Sequence, residues 1–136
     1  MIINQINITC FYAGLFGLLL FTLSIRVISE RLKNQVAIFN DNDYNLGLVI
    51  RAHGNFTEYV PMVLILMLVS ELSSASNLFL HFIGSTFLIS RISHAYGLLF
   101  LEQKDKKDIR GRKFGMILTF LVLMINSVYL IWKFFV

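Results

Sequence analysis

The chain has little cysteine, little proline and little charge. It contains one Cys and one Pro in 136 residues, and Asp, Glu, Lys and Arg together make up 15% of it, where about 25% is usual in soluble domains. A single cysteine excludes a disulfide framework. The lone proline, together with 13 phenylalanines, excludes a collagen-like fibre and an intrinsically disordered chain.

Apolar residues dominate instead. Ala, Val, Ile, Leu, Met, Phe, Trp, Tyr and Cys account for 57% of the chain, against roughly 45–50% in soluble domains even when glycine is counted. A small soluble fold has too much surface to bury so many apolar side chains. The composition therefore predicts an all-α integral membrane protein embedded in a lipid bilayer.

Four apolar blocks are each long enough to cross a bilayer, which takes about 20 residues. They predict a single transmembrane domain over residues 1–136, built as a four-helix bundle. The predicted helices cover about residues 6–30, 46–72, 75–101 and 112–136. Polar connections separate them: residues 36–45, a tight turn at 73–77, and a solvated basic stretch at 102–113.

Basic residues are distributed unevenly between the two ends of these helices. Lys and Arg in short loops favour the cytoplasmic side of a membrane. The first and third connections hold nine of them, against Lys133 on the other side: Arg26, Arg31, Lys33, Lys104, Lys106, Lys107, Arg110, Arg112 and Lys113. We expect both termini on the non-cytoplasmic side and both long basic connections in the cytoplasm. The same distribution explains the net charge of +4 without a nucleic-acid partner.

Charged and polar residues inside the second and third helices form the main functional signal. Arg51, Asn55 and Glu58 are spaced i, i+4 and i+7 and share one helix face, and Arg91 and His94 share another. One arginine alone would be explained by a side chain that reaches the headgroups. Five such residues on adjacent helices predict a polar, water-connected pocket near the cytoplasmic ends, because charge inside a membrane is costly and usually functional.

The histidines and two glycines lead to structural predictions. His53 points away from the Arg51 face, so we expect it to pack against another helix or to form an interhelical hydrogen bond, and not to be a ligand. The spacing of His53, His81 and His94 matches no metal site, and no cysteine lies nearby, so we expect no metal. Gly14 and Gly17 predict close packing by the first helix.

The stretch RAHGNFTEYVP at residues 51–61, together with RISHAYG at 91–97, resembles the MAPEG family. These are the membrane-associated proteins in eicosanoid and glutathione metabolism, which include microsomal glutathione transferases. The resemblance covers essentially the whole chain and is nearer to the bacterial-type branch. It implies a homotrimer of four-helix subunits that binds glutathione, as a co-substrate, between neighbouring subunits near the cytoplasmic face.

Motif positions imply which residues contact glutathione. They are Arg26, Arg51, Asn55, Glu58, Arg91 and His94. The resemblance also implies a thiol-activating arginine at the start of the fourth helix, where Arg112 matches best and Arg110 is the close alternative. The chemistry agrees, because guanidinium groups pair with the two carboxylates, Glu58 can receive the ammonium, and a nearby arginine favours the thiolate.

Two departures limit the likeness. Gly54 and Leu98 stand where the eicosanoid-forming branch has an arginine and a tyrosine, so prostaglandin or leukotriene synthesis is not supported. We therefore expect a membrane glutathione transferase or peroxidase acting on small lipophilic electrophiles. Two alternatives stay open: a non-catalytic member that binds lipid or another anionic amphiphile, and an ion or proton pathway through Arg51, Glu58 and His94.

Overall fold

The computed structural model describes residues 6–38 and 43–136, which are helical with no strand. Four long helices make up most of this part: α1 (Asn7–Asn34), α2 (Tyr44–Leu72), α3 (Asn77–Tyr96) and α4 (Arg110–Phe134). The all-helical prediction is confirmed, and most helix ends lie within a few residues of the predicted ones. Of the predicted connection at 36–45, residues 39–42 lie outside the described residues.

The first helix continues past its predicted end near residue 30. Arg31 and Lys33 lie in its last turn, where positive charge complements the helix dipole. Gln35 then adopts a left-handed conformation with φ of 56°, and the Val36 amide donates to the Arg31 carbonyl at 3.0 Å. This C-terminal motif, which satisfies carbonyls left free at the helix end, sets the end of α1.

Side chains cap the starts of α2 and α3. The Asp43 carboxylate accepts a hydrogen bond from the Leu46 amide at 2.8 Å, and the Ser76 hydroxyl accepts one from Phe79 at 3.3 Å. Such caps replace hydrogen bonds that the first helical turn lacks. The helix assignment of α2 continues through Pro61.

The helical path of α3 continues beyond Tyr96 with a change of winding. A π-helical turn, Gly97–Leu101, is followed by a short α-helical turn, Glu102–Lys104. The predicted helix therefore extends a few residues past its expected end at 101. Because a π turn holds more residues than an α turn, the side chains that follow it are rotated relative to those of a continuous α-helix.

The backbones of α3 and α4 lie in direct contact at one end of the bundle. A Cβ atom added to Gly111 would lie 2.8 Å from the Cα atom of Gly97, and one added to Gly115 would lie 2.6 Å from the carbonyl oxygen of Ser90. Only glycine allows this approach. We call the end of the bundle where α1 and α3 end and α2 and α4 begin the polar end.

The expectation that Gly14 and Gly17 permit close packing of α1 is wrong. A Cβ atom added to either would meet nothing within 4 Å, and both residues are exposed. The small residues that permit close contact lie on α3 and α4 instead. Sequence spacing alone could not tell these two classes of glycine apart.

The described surface is apolar while the interior carries polar groups. Exposed side chains include Leu18, Phe21, Ile65, Phe120, Met124 and Ile131. Buried ones include Asn55, Ser70, Ser90, Arg91, Thr119 and Asn126. Within the described residues, α1, α2 and α4 are long and apolar enough to cross a membrane. An apolar exterior around them indicates contact with lipid.

The end of the bundle opposite the polar end is tied by a carboxylate. Glu71, in the last turn of α2, accepts hydrogen bonds from the backbone amides of Ile8 and Thr9, each at 2.8 Å. These amides belong to the first turn of α1, which has no intrahelical acceptors for them. Glu71 therefore caps the start of a helix whose Ile8 lies 63 residues earlier in the chain.

Candidate functional site

The centre of the polar end is a buried arginine. Arg91 on α3 is 1% exposed, and its Nη1 atom donates to the Asn55 side-chain oxygen on α2 at 2.7 Å. Its Nη2 atom donates to the Thr119 hydroxyl on α4. One guanidinium thus joins three helices.

Among the described residues, neutral hydrogen-bond acceptors and aromatic rings stabilise the buried charge of Arg91. The Ser90 hydroxyl accepts from Nε and Nη2 at 3.4 and 3.3 Å. The rings of Phe87 and Tyr59 lie 5.5 and 5.6 Å from the guanidinium carbon, within the range of cation–π attraction. In a single subunit, Arg91 and Asn55 are therefore engaged with protein partners.

Arg51 and Glu58 point to the outside of α2. Their side chains are 60% and 50% exposed, and Arg51 Nη1 lies 3.2 Å from Glu58 Oε1. Asn55, between them in sequence, is turned inward and buried. The predicted single stripe is therefore divided: its charged members form an outer ion pair, and its amide belongs to the interior.

His94 is subject to the charges of both the buried Arg91 and the outer Arg51. It is buried on α3, and the charges of Arg91, Arg112 and Arg51 all act on its ring. Positive charge from α2, α3 and α4 thus acts on one imidazole at the polar end. This is where the structure brings predicted site residues of different helices together.

Arg112 pairs with a carboxylate that the sequence analysis placed in a solvated connection. Glu102 is 2% exposed, and its Oε1 atom lies 3.2 Å from Arg112 Nε. Oε1 has no hydrogen-bond partner among the described residues. A buried acceptor left without a hydrogen bond costs about 1–3 kcal/mol. Burial, assisted by Asp108, raises the pKa of Glu102, while Arg112 acts against this.

Arg110, the alternative to Arg112, is engaged elsewhere. Its Nε and Nη2 atoms donate to the two carboxylate oxygens of Asp108, both at 2.9 Å, and its side chain is largely exposed. These hydrogen bonds lower the pKa of Asp108 and raise the pKa of Arg110. The two candidate arginines thus differ: Arg112 contacts the interior, and Arg110 forms a bidentate surface pair.

Arg26 lies apart from the other predicted residues. Its Nη2 atom is 3.4 Å from Glu30 on the same helix. It borders a groove of about 470 Å³ between α1 and the end of α3, lined mainly by apolar groups such as Leu23 and Leu99. None of the other predicted site residues lines this groove.

The structural prediction for His53 is confirmed. Its Nε2 atom lies 3.1 Å from the Ser24 hydroxyl, which joins α2 to α1. Ser90, Thr119 and Glu102 were missed by the sequence analysis, because a hydroxyl or an acid in an isolated position gives no spacing signal. Their role becomes visible only when α3 and α4 are placed side by side.

These features define a class of protein: a multi-pass, helical integral membrane protein with buried basic groups at one end. Comparison with known proteins narrows the class. The MAPEG family matches residues 9–132, so the chain belongs to the MAPEG family. It is similar to the inner membrane protein YecN in two strains of Escherichia coli, at 31% identity over 125 residues, which cover 92% of this chain and 91% of YecN.

Proposed function

We propose that this protein is a membrane-bound glutathione transferase or peroxidase acting on small lipophilic electrophiles. The observation that carries the proposal is that three arginines from three helices, Arg51 on α2, Arg91 on α3 and Arg112 on α4, lie at the polar end of the bundle. Glutathione has two carboxylates and a thiol that ionises, so three guanidinium groups suit it. The MAPEG family, which includes glutathione transferases, supports the same assignment.

The outer ion pair supports a site shared between subunits. Arg51 and Glu58 are exposed on α2, which is apolar enough to cross a membrane. A charge facing lipid at depth costs at least about 2.5–3.5 kcal/mol. A second copy that covers this face removes the cost, and a zwitterionic ligand between the copies pairs with both charges. We assign this face to a homotrimer interface, with Arg51 for a carboxylate and Glu58 for the ammonium.

In this proposal α3 also crosses the membrane. It runs along α4, from the Phe79 and Tyr129 rings, 4.5 Å apart, to the Ser93 hydroxyl, which donates to Gly111 at 3.1 Å. A helix that follows a spanning neighbour over this length spans with it. The charged Arg91 and the histidines lower the mean hydropathy of α3, whose 20 residues are enough to span. The basic connections then face the cytoplasm, and both termini face the other side.

Arg112 is the proposed activating group. Its backbone nitrogen packs against Gly97, and its Nε atom lies 3.2 Å from Glu102, so its side chain starts at the contact between α3 and α4 at the polar end. A guanidinium beside the glutathione sulfur favours the thiolate. The thiolate attacks the electrophilic carbon of a lipophile that arrives from the bilayer, and the C–S bond forms as a leaving group such as a halide departs. With a peroxide it attacks one oxygen, the O–O bond breaks to release the alcohol, and a second glutathione converts the resulting sulfenic acid of glutathione to the disulfide and water. No nucleophile from the protein is required.

Titration of bound glutathione tests the proposal. The full chain in lipid nanodiscs is mixed with glutathione, and the ultraviolet absorbance of the thiolate is followed against pH. We expect the parent protein to lower the thiol pKa by about one unit or more. Arg112→Ala should return it toward the value in solution, whereas Lys113→Ala, the loss of an exposed charge at the next position, should not.

Three results decide between the candidates. An Arg110→Ala protein that loses the thiolate while Arg112→Ala keeps it would reverse the choice of arginine. A parent protein that binds millimolar glutathione without ionising it, or does not bind it, overturns the enzymatic proposal. Arg51→Ala should weaken binding about tenfold or more, because it removes a charged hydrogen-bond donor.

The groove beside Arg26 favours a second candidate function. An apolar groove bordered by one cation fits a single-chain anionic amphiphile, and binding it needs no catalysis. Calorimetry with a fatty-acid anion, set beside glutathione, separates the two functions. Heat from the fatty acid, lost in Arg26→Ala, with none from glutathione, would establish the non-catalytic function.

A further inference from the structure

Glu102 is a buried carboxylate that the glutathione site, as described so far, does not use. It is 2% exposed, although it lies next to a stretch of exposed residues at 104–107. Its charged partner within ion-pair distance, among the described residues, is Arg112. The contact uses the Nε atom, so the two terminal nitrogens of that guanidinium are not engaged by Glu102.

The backbone of Arg112 is fixed independently. Gly97, at the start of the π turn, packs against Gly111 and the backbone nitrogen of Arg112, and a Cβ atom at Gly97 would clash with them. The Ser93 hydroxyl donates to the Gly111 carbonyl at 3.1 Å, which adds a second tie between α3 and α4. The base of the Arg112 side chain therefore cannot move away from α3.

The π turn sets the position of Glu102, the partner of Arg112. It lies directly between α3 and Glu102. By changing the winding, it rotates Glu102 relative to the face that a continuous α-helix would give it. Glu102 then faces α4 from within the protein. π turns are frequent at functional sites for this reason.

From this geometry we infer that Glu102 is a positioning residue for Arg112: it holds Nε, so that the two terminal nitrogens face the thiol of bound glutathione. This inference rests on the proposed function, because it assumes that Arg112 activates the thiol. Burial of Glu102 leaves the carboxylate few alternative partners. Its Oε1 atom already lies 3.2 Å from Nε without a hydrogen bond, so a small rotation of the guanidinium is enough to complete one.

A double-mutant cycle tests the inference. Glu102→Gln, Arg112→Ala and the double variant are prepared as full chains in nanodiscs, with glutathione as ligand and an aryl halide as electrophile. The thiol pKa, kcat and the KM for glutathione are measured. Asp108→Asn serves as the matched control, because it removes a nearby carboxylate that pairs with Arg110 instead of Arg112.

We expect Glu102→Gln to raise the thiol pKa by about one unit and to lower kcat about tenfold, which is typical of a displaced active-site group. The KM for glutathione should change little. In the Arg112→Ala background Glu102→Gln should have no further effect. Asp108→Asn should leave all three quantities near those of the parent. A residue needed only for folding would lower the active fraction without moving the thiol pKa.

The outcomes are distinct from those of the proposed function. An unchanged or lowered thiol pKa in Glu102→Gln, or an equal loss in both backgrounds, overturns the inference while the parent still ionises glutathione. A parent that does not ionise glutathione overturns the proposed function itself. If Glu102→Gln does not fold, the same cycle with Glu102→Asp decides, because the shorter acid keeps the charge but withdraws it from Nε and should give an intermediate loss.

Discussion

Arg91 and Asn55 are hydrogen-bonded partners from different helices, with Nη1 and Oδ1 2.7 Å apart in the buried interior. The contact joins α3 to α2 beneath the outer ion pair of Arg51 and Glu58. Arg91 is a candidate site residue that also ties helices together. The side chain of Asn55 can be removed while the charge of Arg91 stays, so the contribution of their hydrogen bond to stability can be measured.

Asn55→Ala should destabilise the protein by about 1–3 kcal/mol, because a buried guanidinium nitrogen loses its acceptor. The measurement is thermal or denaturant unfolding in detergent micelles without glutathione. Thr57→Ala on the exposed side of α2 is the control, since its hydroxyl bonds only to the Gly54 carbonyl at 2.8 Å within the same helix. Equal stability of the two variants would contradict a structural role for the Arg91–Asn55 bond.

Gly111→Ala should destabilise by about 1–3 kcal/mol, because the new Cβ would lie against the backbone of Gly97 and cannot be relieved by a side-chain rotation. Gly14→Ala adds the same methyl group on an exposed face with nothing within 4 Å. It should be neutral or stabilise by up to about 1 kcal/mol through helix propensity. Unfolding of both variants in the same detergent checks the contrast, and a similar response would rule out close α3–α4 contact.

Stability should depend on pH through Glu102 and Asp108 with opposite signs. Because burial raises the pKa of Glu102, its favourable contribution is present below the ordinary glutamate pKa and is lost as pH rises through the raised value. Asp108, whose pKa is lowered by Arg110, contributes above the ordinary aspartate pKa and loses this as pH falls.

Unfolding of the parent, Glu102→Gln and Asp108→Asn across the acidic range measures the effect. The stability of the parent relative to Glu102→Gln should fall as pH rises from the usual glutamate pKa. Relative to Asp108→Asn it should fall as pH decreases below the usual aspartate pKa. If the free energy of unfolding of both variants follows that of the parent in parallel across this pH range, neither carboxylate has a perturbed pKa.

Glu71→Ala should expose the first turn of α1 to exchange with solvent. The variant loses the acceptor for the Ile8 and Thr9 amides, a change that costs about 0.5–2 kcal/mol at a helix start. Hydrogen exchange of these two amides should accelerate, while those of α4 should not. Glu30→Ala, which removes an acid paired with Arg26 within one helix, is the comparison and should leave both amides protected.

The helices and their membrane character were predictable, because long apolar blocks carry a strong signal. The ends of the helices were less predictable. α1 continues through a basic last turn that hydropathy discounts, and the π turn after α3 has no sequence marker that we used. Gly14 and Gly17 were misassigned because small residues near an apolar face look alike until the neighbouring helix is known.

The sequence could nominate candidate site residues but could not give their arrangement. Helical spacing placed Arg51, Asn55 and Glu58 on one face, yet that face lies at the boundary between interior and surface, so Asn55 turns inward and the charges turn outward. Spacing along one helix cannot show where its neighbours pack. For the same reason the burial of Glu102 could not be foreseen, since it depends on a local change of winding and on α4.

The cap from Glu71 bears on how the chain is assembled. Ile8 and Thr9, whose amides it accepts, are synthesised before Glu71, which follows Ile8 by 63 positions. The first helix must therefore wait, with its starting turn bonded only to water or headgroups, until the second has crossed the bilayer back to the same side. The hydrogen bonds from Ile8 and Thr9 to Glu71 therefore form only when both helices of this hairpin are in place, and their formation reports its correct insertion.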